Sequence, residues 1–187
     1  MMNPTSNKKD FEDLSTALKD LAYSYIEKYS PSKQQLKVFL MKKVLIKFKS
    51  SKSKKEISEL IDKVLVNLEE NKFINDELYS DSKSRTLLRR GYSLNKINQS
   101  LRIKGIEQKY IKQSIEKIKS KEIEPDFVSA LKLCKRRRIG AIRPNANREL
   151  FYKKDMGVLA RAGFDYDLSK RVLNLEQDEF QKLIKII

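Results

Sequence analysis

The chain has 187 residues, of which 41 are lysine or arginine, 25 are aspartate or glutamate and none is histidine, so its net charge is +16. The absence of histidine excludes a Ser-His-Asp triad, a Cys-His pair and the usual zinc sites. The absence of a glycine-rich nucleotide loop excludes a P-loop. We therefore expect a non-enzymatic protein without metal or cofactor. No apolar run approaches the roughly 18 residues that span a bilayer, and the first residues lack the apolar stretch of a signal peptide. The chain has a single cysteine, which cannot form an internal disulfide. We therefore expect a cytoplasmic protein that does not contact a membrane.

The N-terminal third is predicted to form three helices. Apolar residues at helical spacing predict a helix over 11–29 and a second helix that begins at Ser30-Pro31, with serine as cap and proline at the first helical position. Ser53 and Glu56 have the spacing of a capping box and predict the start of the third helix. Residues 46–55 between them are a Lys/Ser-rich insertion. For residues 42–55 the serines of SSKSKK favour a mobile loop over a basic amphipathic element on a membrane surface.

The stretch 84–118 predicts a helix-glycine-helix-glycine-helix unit. Gly91 and Gly105 each follow a basic last turn and precede a large apolar residue, an order typical of a left-handed C-terminal cap. Ser93 then offers its hydroxyl to the free amides of the following helix, and Asn75 is predicted to cap the helix that enters the unit.

The same pattern recurs near the C-terminus, which predicts an all-α fold of stacked repeats. Leu159 precedes Gly163 by four residues, as Leu101 precedes Gly105. A unit this small cannot bury its own apolar face, so successive copies should share one continuous core. The predicted regions are 1–73 for the N-terminal region and first repeat, 74–121 for the second repeat, 122–174 for the third repeat and 175–187 for an added helix.

The positive charge is concentrated in three blocks. Residues 31–55 contain nine lysines and no acidic residue, residues 81–121 contain twelve basic and three acidic residues, and residues 127–187 contain fourteen basic and seven acidic residues. A surface segmented in this way suits phosphates or an acidic protein.

The densest cluster of cations, residues 135–138, closes a predicted helix over 127–138. The helix dipole favours cations there in any case, so a solvated helix end is the alternative to a binding site. Cys134 beside the cluster has the neighbours of a core residue, and we do not expect it to be reactive. Tyr92 lies among the central cations, where a capping contact in the core is favoured over stacking on a base.

Three stretches of the chain resemble the RecX family of bacterial recombinase regulators. Residues 68–118, LEENKFINDELYSDSKSRTLLRRGYSLNKINQSLRIKGIEQKYIKQSIEKI, are similar to the central region of that family. MGVLARAGFDYDLSKRVL is similar to its C-terminal signature and SPSKQQLKVFL to its first repeat, so the resemblance extends from about residue 22 to residue 175. The chain departs from the family at the insertion over 46–55, at the final helix and at the Arg161-Ala162-Gly163 joint, which lacks a second basic residue.

The resemblance implies an elongated, curved array of three tandem three-helix repeats, each similar to a helix-turn-helix. It implies a protein that binds the RecA recombinase filament, with single- and double-stranded DNA as further partners. Such a protein modulates, and in most members inhibits, the ATPase, strand-exchange and co-protease activities of RecA in recombination, DNA repair and the SOS response. We expect a monomer whose basic concave face follows the filament groove. The residues predicted to contact recombinase or DNA are Arg89, Arg90, Lys96, Arg102, Lys104, Arg136, Arg137, Arg161 and Arg171.

A stand-alone DNA-binding helix-turn-helix module is the alternative function. Asn95, Asn98, Gln99 and Arg102 are residue types that read base edges when a short helix enters the major groove. An adaptor for some other acidic protein is a third possibility that the sequence leaves open.

Overall fold

The computed structural model describes residues 4–47 and 53–186. Within those residues the chain forms ten α-helices, one 3-10 turn and no strand, which confirms the predicted all-α fold. The helices are α1 Pro4–Tyr29, α2 Lys33–Lys47, α3 Lys54–Glu70, α4 Asp76–Arg89, α5 Leu94–Ile103, α6 Gln108–Lys119, α7 Pro125–Arg137, α8 Asn145–Arg161, α9 Tyr166–Leu173 and α10 Gln177–Ile186. The 3-10 turn, Gly140–Ile142, connects α7 to α8. No helix in the described part of the chain has the length and apolar character needed to cross a bilayer.

The chain divides into two compact units. They comprise residues 1–79 with 104–106 and residues 80–103 with 107–187. The predicted helix at the C-terminus is confirmed as α10, and its Phe180 is fully buried in the core of the second unit. The predicted repeat boundaries and the curved arrangement stay predictions.

The core of the first unit lies between α1, α2 and α3. Leu18 of α1, Leu36 and Leu40 of α2 and Ile61 of α3 are all 0% exposed, as their helical spacing predicts. Residues 48–52 of the Lys/Ser-rich insertion lie outside the described residues.

The start of α3 confirms the predicted capping box. The backbone N–H of Glu56 donates to the Ser53 hydroxyl, and the backbone N–H of Ser53 donates in return to the Glu56 carboxylate at 2.7 Å. The Asn75 side chain likewise accepts a hydrogen bond from the backbone N–H of Leu78 in the first turn of α4, so both predicted caps are confirmed.

The start of α2 corrects the prediction from the Ser30-Pro31 pair. Ser30 belongs to the end of α1, because it has a left-handed φ of 41° and its N–H donates to the Ile26 carbonyl. Ser32 is the true cap, and its hydroxyl accepts from the backbone N–H of Gln35 at 3.2 Å. An N-cap residue has extended backbone, so Ser30, whose left-handed conformation ends α1, cannot also cap α2.

A polar joint connects the start of α2 to other parts of the first unit. The Ser32 hydroxyl is fully buried and donates to the Lys104 carbonyl at 2.7 Å. The backbone N–H of Lys33 donates to the Asp76 carboxylate at 2.9 Å. One serine and one aspartate thus satisfy amides of α2 and hold that helix end in place.

The second unit contains the same joint at the start of α5. The buried Ser93 hydroxyl donates to the Gly163 carbonyl at 2.7 Å and accepts from the backbone N–H of Lys96. The Leu94 N–H donates to the Asp126 carboxylate at 2.7 Å. This recurrence of one contact set supports the internal repetition that the glycine pattern predicts.

Gly91 brings the end of α4 against α7. Its φ is 74°, which confirms the predicted left-handed cap, and the N–H of Tyr92 donates back to the Leu87 carbonyl. A methyl group added at Gly91 would lie 2.7 Å from Cβ of Leu133 on α7. Only glycine therefore fits both the backbone conformation and the space.

We predict that Gly91→Ala lowers the free energy of unfolding by about 2 to 4 kcal/mol, because the left-handed conformation becomes strained and the methyl group overlaps Leu133. Urea denaturation followed by circular dichroism measures this change.

The matched control is Gly157→Ala in α8, where the added methyl group would meet only the Arg161 guanidinium at 3.4 Å. This variant should be more stable by up to about 1 kcal/mol. Equal stability of the two variants would contradict the close approach of Gly91 to α7.

Candidate functional site

A basic cavity of about 420 Å³ lies in the second unit and is lined by residues of α7, α8 and the α4–α5 joint. Its charged lining residues are Arg136, Arg137, Arg143, Lys154, Asp155 and Arg161. Its uncharged lining residues are Tyr92, Leu133, Ile139, Val158 and Ala162. The cavity therefore combines an excess of cations with a largely apolar floor.

Two helices, α7 and α8, supply most of the cations that line the basic cavity. Arg136 and Arg137 are in the last turn of α7, one turn after Leu133, and both are exposed. On α8, Lys154 and Arg161 are seven residues apart and so lie on one face of the helix. Each helix presents its cations beside the apolar residues that line the same cavity.

The single carboxylate of the basic cavity is already neutralised. Asp155 is 2% exposed and accepts two hydrogen bonds from the Arg143 guanidinium, both at 2.7 Å. It also accepts the backbone N–H of Gly140 at 3.1 Å. This bidentate pair raises the pKa of Arg143 and fixes the 3-10 turn against α8.

Tyr92 is held at the wall of the cavity by α7. The Ser129 hydroxyl, which is buried, donates to the carbonyls of Tyr92 at 2.9 Å and Leu88 at 3.1 Å. The Tyr92 ring packs partly buried against the core of the second unit, as predicted for a capping residue. The same ring also lines the basic cavity.

Arg89 lies at a second cavity, of about 500 Å³, between α4 and α6. The charges there are mixed, because two acidic residues, Asp81 and Glu122, line it with four basic ones, Arg85, Arg89, Lys117 and Lys121. Burial alone would raise the pKa of Asp81, but hydrogen bonds from Lys117 and Ser114 hold that pKa below its ordinary value. This cavity lacks the large cation excess of the basic cavity.

Five predicted cations, including Arg171, line neither of these two cavities. Arg90 and Arg102 are exposed, and Lys96 is partly buried where α5 meets the Gly163 joint. Lys104 belongs to the first unit, where its carbonyl accepts from Ser32.

Arg171 is engaged in an ion pair. Its guanidinium donates to both oxygens of the Glu124 carboxylate, at 2.8 and 3.1 Å, and lies 4.1 Å from the centre of the Phe127 ring. The hydrogen bonds from Arg171 lower the pKa of Glu124. This geometry gives Arg171 a role in attaching α9 to the start of α7, so its predicted contact with a partner requires the pair to open.

The predicted set does not include Arg143 and Lys154, which also line the basic cavity. The seven-residue spacing of Lys154 and Arg161 is a signal that the sequence does contain. Arg143 has no such signal, since it reaches the cavity only through the 3-10 turn.

Cys134 next to the basic cluster is a core residue, as predicted. It is 1% exposed, and burial raises the pKa of its thiol to about 12, with a further contribution from the charge of Asp155. The neighbouring arginines therefore do not activate this thiol. In the described part of the chain, no cluster of three Cys, Asp or Glu side chains has the arrangement of a metal site.

The chain is 30% identical to the Regulatory protein RecX of Myxococcus xanthus (strain DK1622) over 162 residues. The match covers 85% of this chain and 85% of that protein. No family model matches the chain, and no solved structure gives a significant match. A match of this length includes residues of both units.

We predict that Cys134 reacts with an aromatic disulfide reagent at pH 8 about a thousandfold more slowly in the native protein than in urea. Its pKa of about 12 leaves roughly a thousandth of the thiolate that a thiol of pKa 9.0 has at that pH. Stopped-flow absorbance measures both rates, and rapid native labelling would contradict the burial.

Proposed function

This chain belongs to the RecX family of regulatory proteins, and on that premise we propose that it binds the filament that a RecA recombinase forms on DNA and inhibits its ATPase. Strand exchange and co-protease activity, which need the same filament, would be inhibited with it. The relationship to RecX over 85% of the chain carries this proposal. We propose further that the protein acts in the cytoplasm, as a monomer and without catalysing a reaction.

The distribution of cations supports a polyanionic partner. Arg136, Arg137 and Arg161 gather at one cavity, while Arg89, Arg90 and Arg102 are exposed elsewhere on the second unit. In this proposal they contact DNA phosphates and acidic side chains of neighbouring recombinase subunits. Because these contacts are electrostatic, they should weaken with increasing salt.

The stand-alone DNA-binding module remains the competing function, and a comparison of two substrates separates it from the proposal. Asn95, Gln99 and Arg102 of α5 are exposed, as base-reading residues would have to be. A filament regulator should bind recombinase-coated single strands more tightly than naked DNA of the same sequence. Equal affinity for both would favour the module.

We predict that Arg89→Glu, Arg90→Glu and Lys104→Glu together abolish inhibition of the recombinase ATPase. Reversal of three exposed or partly exposed charges turns attraction for phosphate into repulsion without removing a buried contact. A titration of the recombinase ATPase on single-stranded DNA measures the effect, and circular dichroism checks that the helices are intact.

The control reverses the same amount of charge at Lys170, Lys182 and Lys185, which are exposed on α9 and α10. Inhibition should survive in this variant. If the first variant also inhibits as the wild type does, the central cations play no part in the contact.

We also predict a strong dependence of duplex DNA binding on salt. If about five phosphates are neutralised, the logarithm of the affinity should fall with the logarithm of the salt concentration with a slope of roughly −4 to −5. Fluorescence anisotropy at four or more salt concentrations gives this slope. A slope near zero would exclude phosphate contacts as the source of binding.

A further inference from the structure

We propose that the basic cavity binds one unpaired nucleotide, with its phosphate against the cations of α7 and α8 and its base over the apolar floor. This inference deepens the proposed function and rests on it for the role of DNA. It assigns to one cavity a ligand of defined chemistry, a nucleoside phosphate.

The charges of the lining call for an anion. Asp155 is the only acidic residue of the lining, and Arg143 occupies both of its oxygens. Arg136, Arg137 and Arg161 therefore face the cavity without a carboxylate of the lining to neutralise them. The last turn of a helix favours cations, but that preference does not explain why the last turns of two helices, α7 and α8, supply cations to one cavity. A phosphate group, which accepts hydrogen bonds from several cations at once, is the ligand that this set fits.

The floor of the cavity calls for a ligand with an apolar face as well. Leu133, Ile139, Val158 and Ala162 line it, and Tyr92 is fixed at its wall by the hydrogen bond from Ser129. Inorganic phosphate would leave that surface unused. A base or a sugar attached to the phosphate would cover it, and aromatic side chains are common partners of unpaired bases.

The size and form of the cavity favour an unpaired nucleotide over a duplex. Its volume of about 420 Å³ is in the range of small-molecule sites. In a duplex the bases are stacked and paired, so a duplex can offer only its phosphates to the cations. A nucleotide with a free base can place both parts in the cavity, either within a single strand or as a free nucleotide.

Binding of labelled oligonucleotides to the full chain tests the proposal. Fluorescence anisotropy would be measured with a thymidine 12-mer, an abasic 12-mer with the same phosphates and a 12-base-pair duplex. We expect the thymidine strand to bind about tenfold more tightly than the abasic strand, since stacking of a base contributes roughly that much. Competition with thymidine 5′-monophosphate separates the two sources: displacement indicates a site for the free nucleotide, and no displacement indicates recognition within a strand.

The variant Arg136→Gln with Arg161→Gln removes two cations of the cavity, and Lys170→Gln with Lys182→Gln removes the same charge elsewhere in the second unit. The cavity variant should bind the thymidine strand about tenfold more weakly. Loss of one phosphate contact should also make its salt slope shallower by about 0.7. The control should retain the affinity and slope of the wild type.

A change within the floor provides an independent variant. Val158→Glu places a carboxylate beside the cations and should prevent binding of the thymidine strand. Glutamine has nearly the shape of glutamate but no charge, so Val158→Gln should retain most of the affinity for that strand.

Two results would overturn the proposal. One is equal affinity of the cavity variant and the lysine control for the thymidine strand, and the other is equal affinity of the wild type for abasic and thymidine strands. No recombinase is present in these assays. A result that overturns the nucleotide site can therefore be told apart from a failure of the protein to inhibit the recombinase ATPase.

Discussion

The second unit depends on the buried hydroxyl of Ser93. This group is 0% exposed, accepts from the Lys96 N–H and donates to the Gly163 carbonyl, while the Ser93 backbone N–H donates to the Ala162 carbonyl. Each buried polar group left without a partner costs about 1 to 3 kcal/mol, so the joint has one favourable arrangement. That arrangement fixes the residue before it, Tyr92, between α7 and α8, and hence places an aromatic ring among cations.

The basic cavity shows how the fold accommodates a cation excess. Only the Arg143–Asp155 pair is substantially buried, and it is bidentate, so the one charge that lies inside has a close partner. Arg136, Arg137 and Arg161 are exposed, where water keeps the repulsion between neighbouring charges near 1 kcal/mol at about 4 Å. The cluster is therefore stable without a ligand and becomes more favourable when an anion displaces the water.

The sequence predicts the local features of this protein well and its long-range contacts poorly. Apolar spacing, the Ser53 capping box and the left-handed Gly91 depend on residues within one or two turns, and all are confirmed. The prediction at Ser30 is wrong because Ser30 ends α1 in the left-handed conformation, and the hydroxyl of Ser32 caps α2 instead. The pair of Arg171 with Glu124 joins residues 47 positions apart, and no periodicity indicates it. Arg161 likewise lies near the α7 arginines only because of the way α7 and α8 pack in the second unit. A count of charges along the sequence carries no information about that packing.

The tight fit at Gly163 limits how proteins with this joint can diverge. A methyl group at Gly163 would lie 2.5 Å from the Ser93 hydroxyl and 2.7 Å from Cβ of Lys96, and the φ of 94° is one that only glycine adopts without strain. Neither position can mutate alone without damage, although 70 residues separate them along the chain. A smaller side chain at 93 would not make room for a larger residue at 163, because Cβ of Lys96 and the left-handed backbone would still exclude it, so the joint tolerates only glycine there.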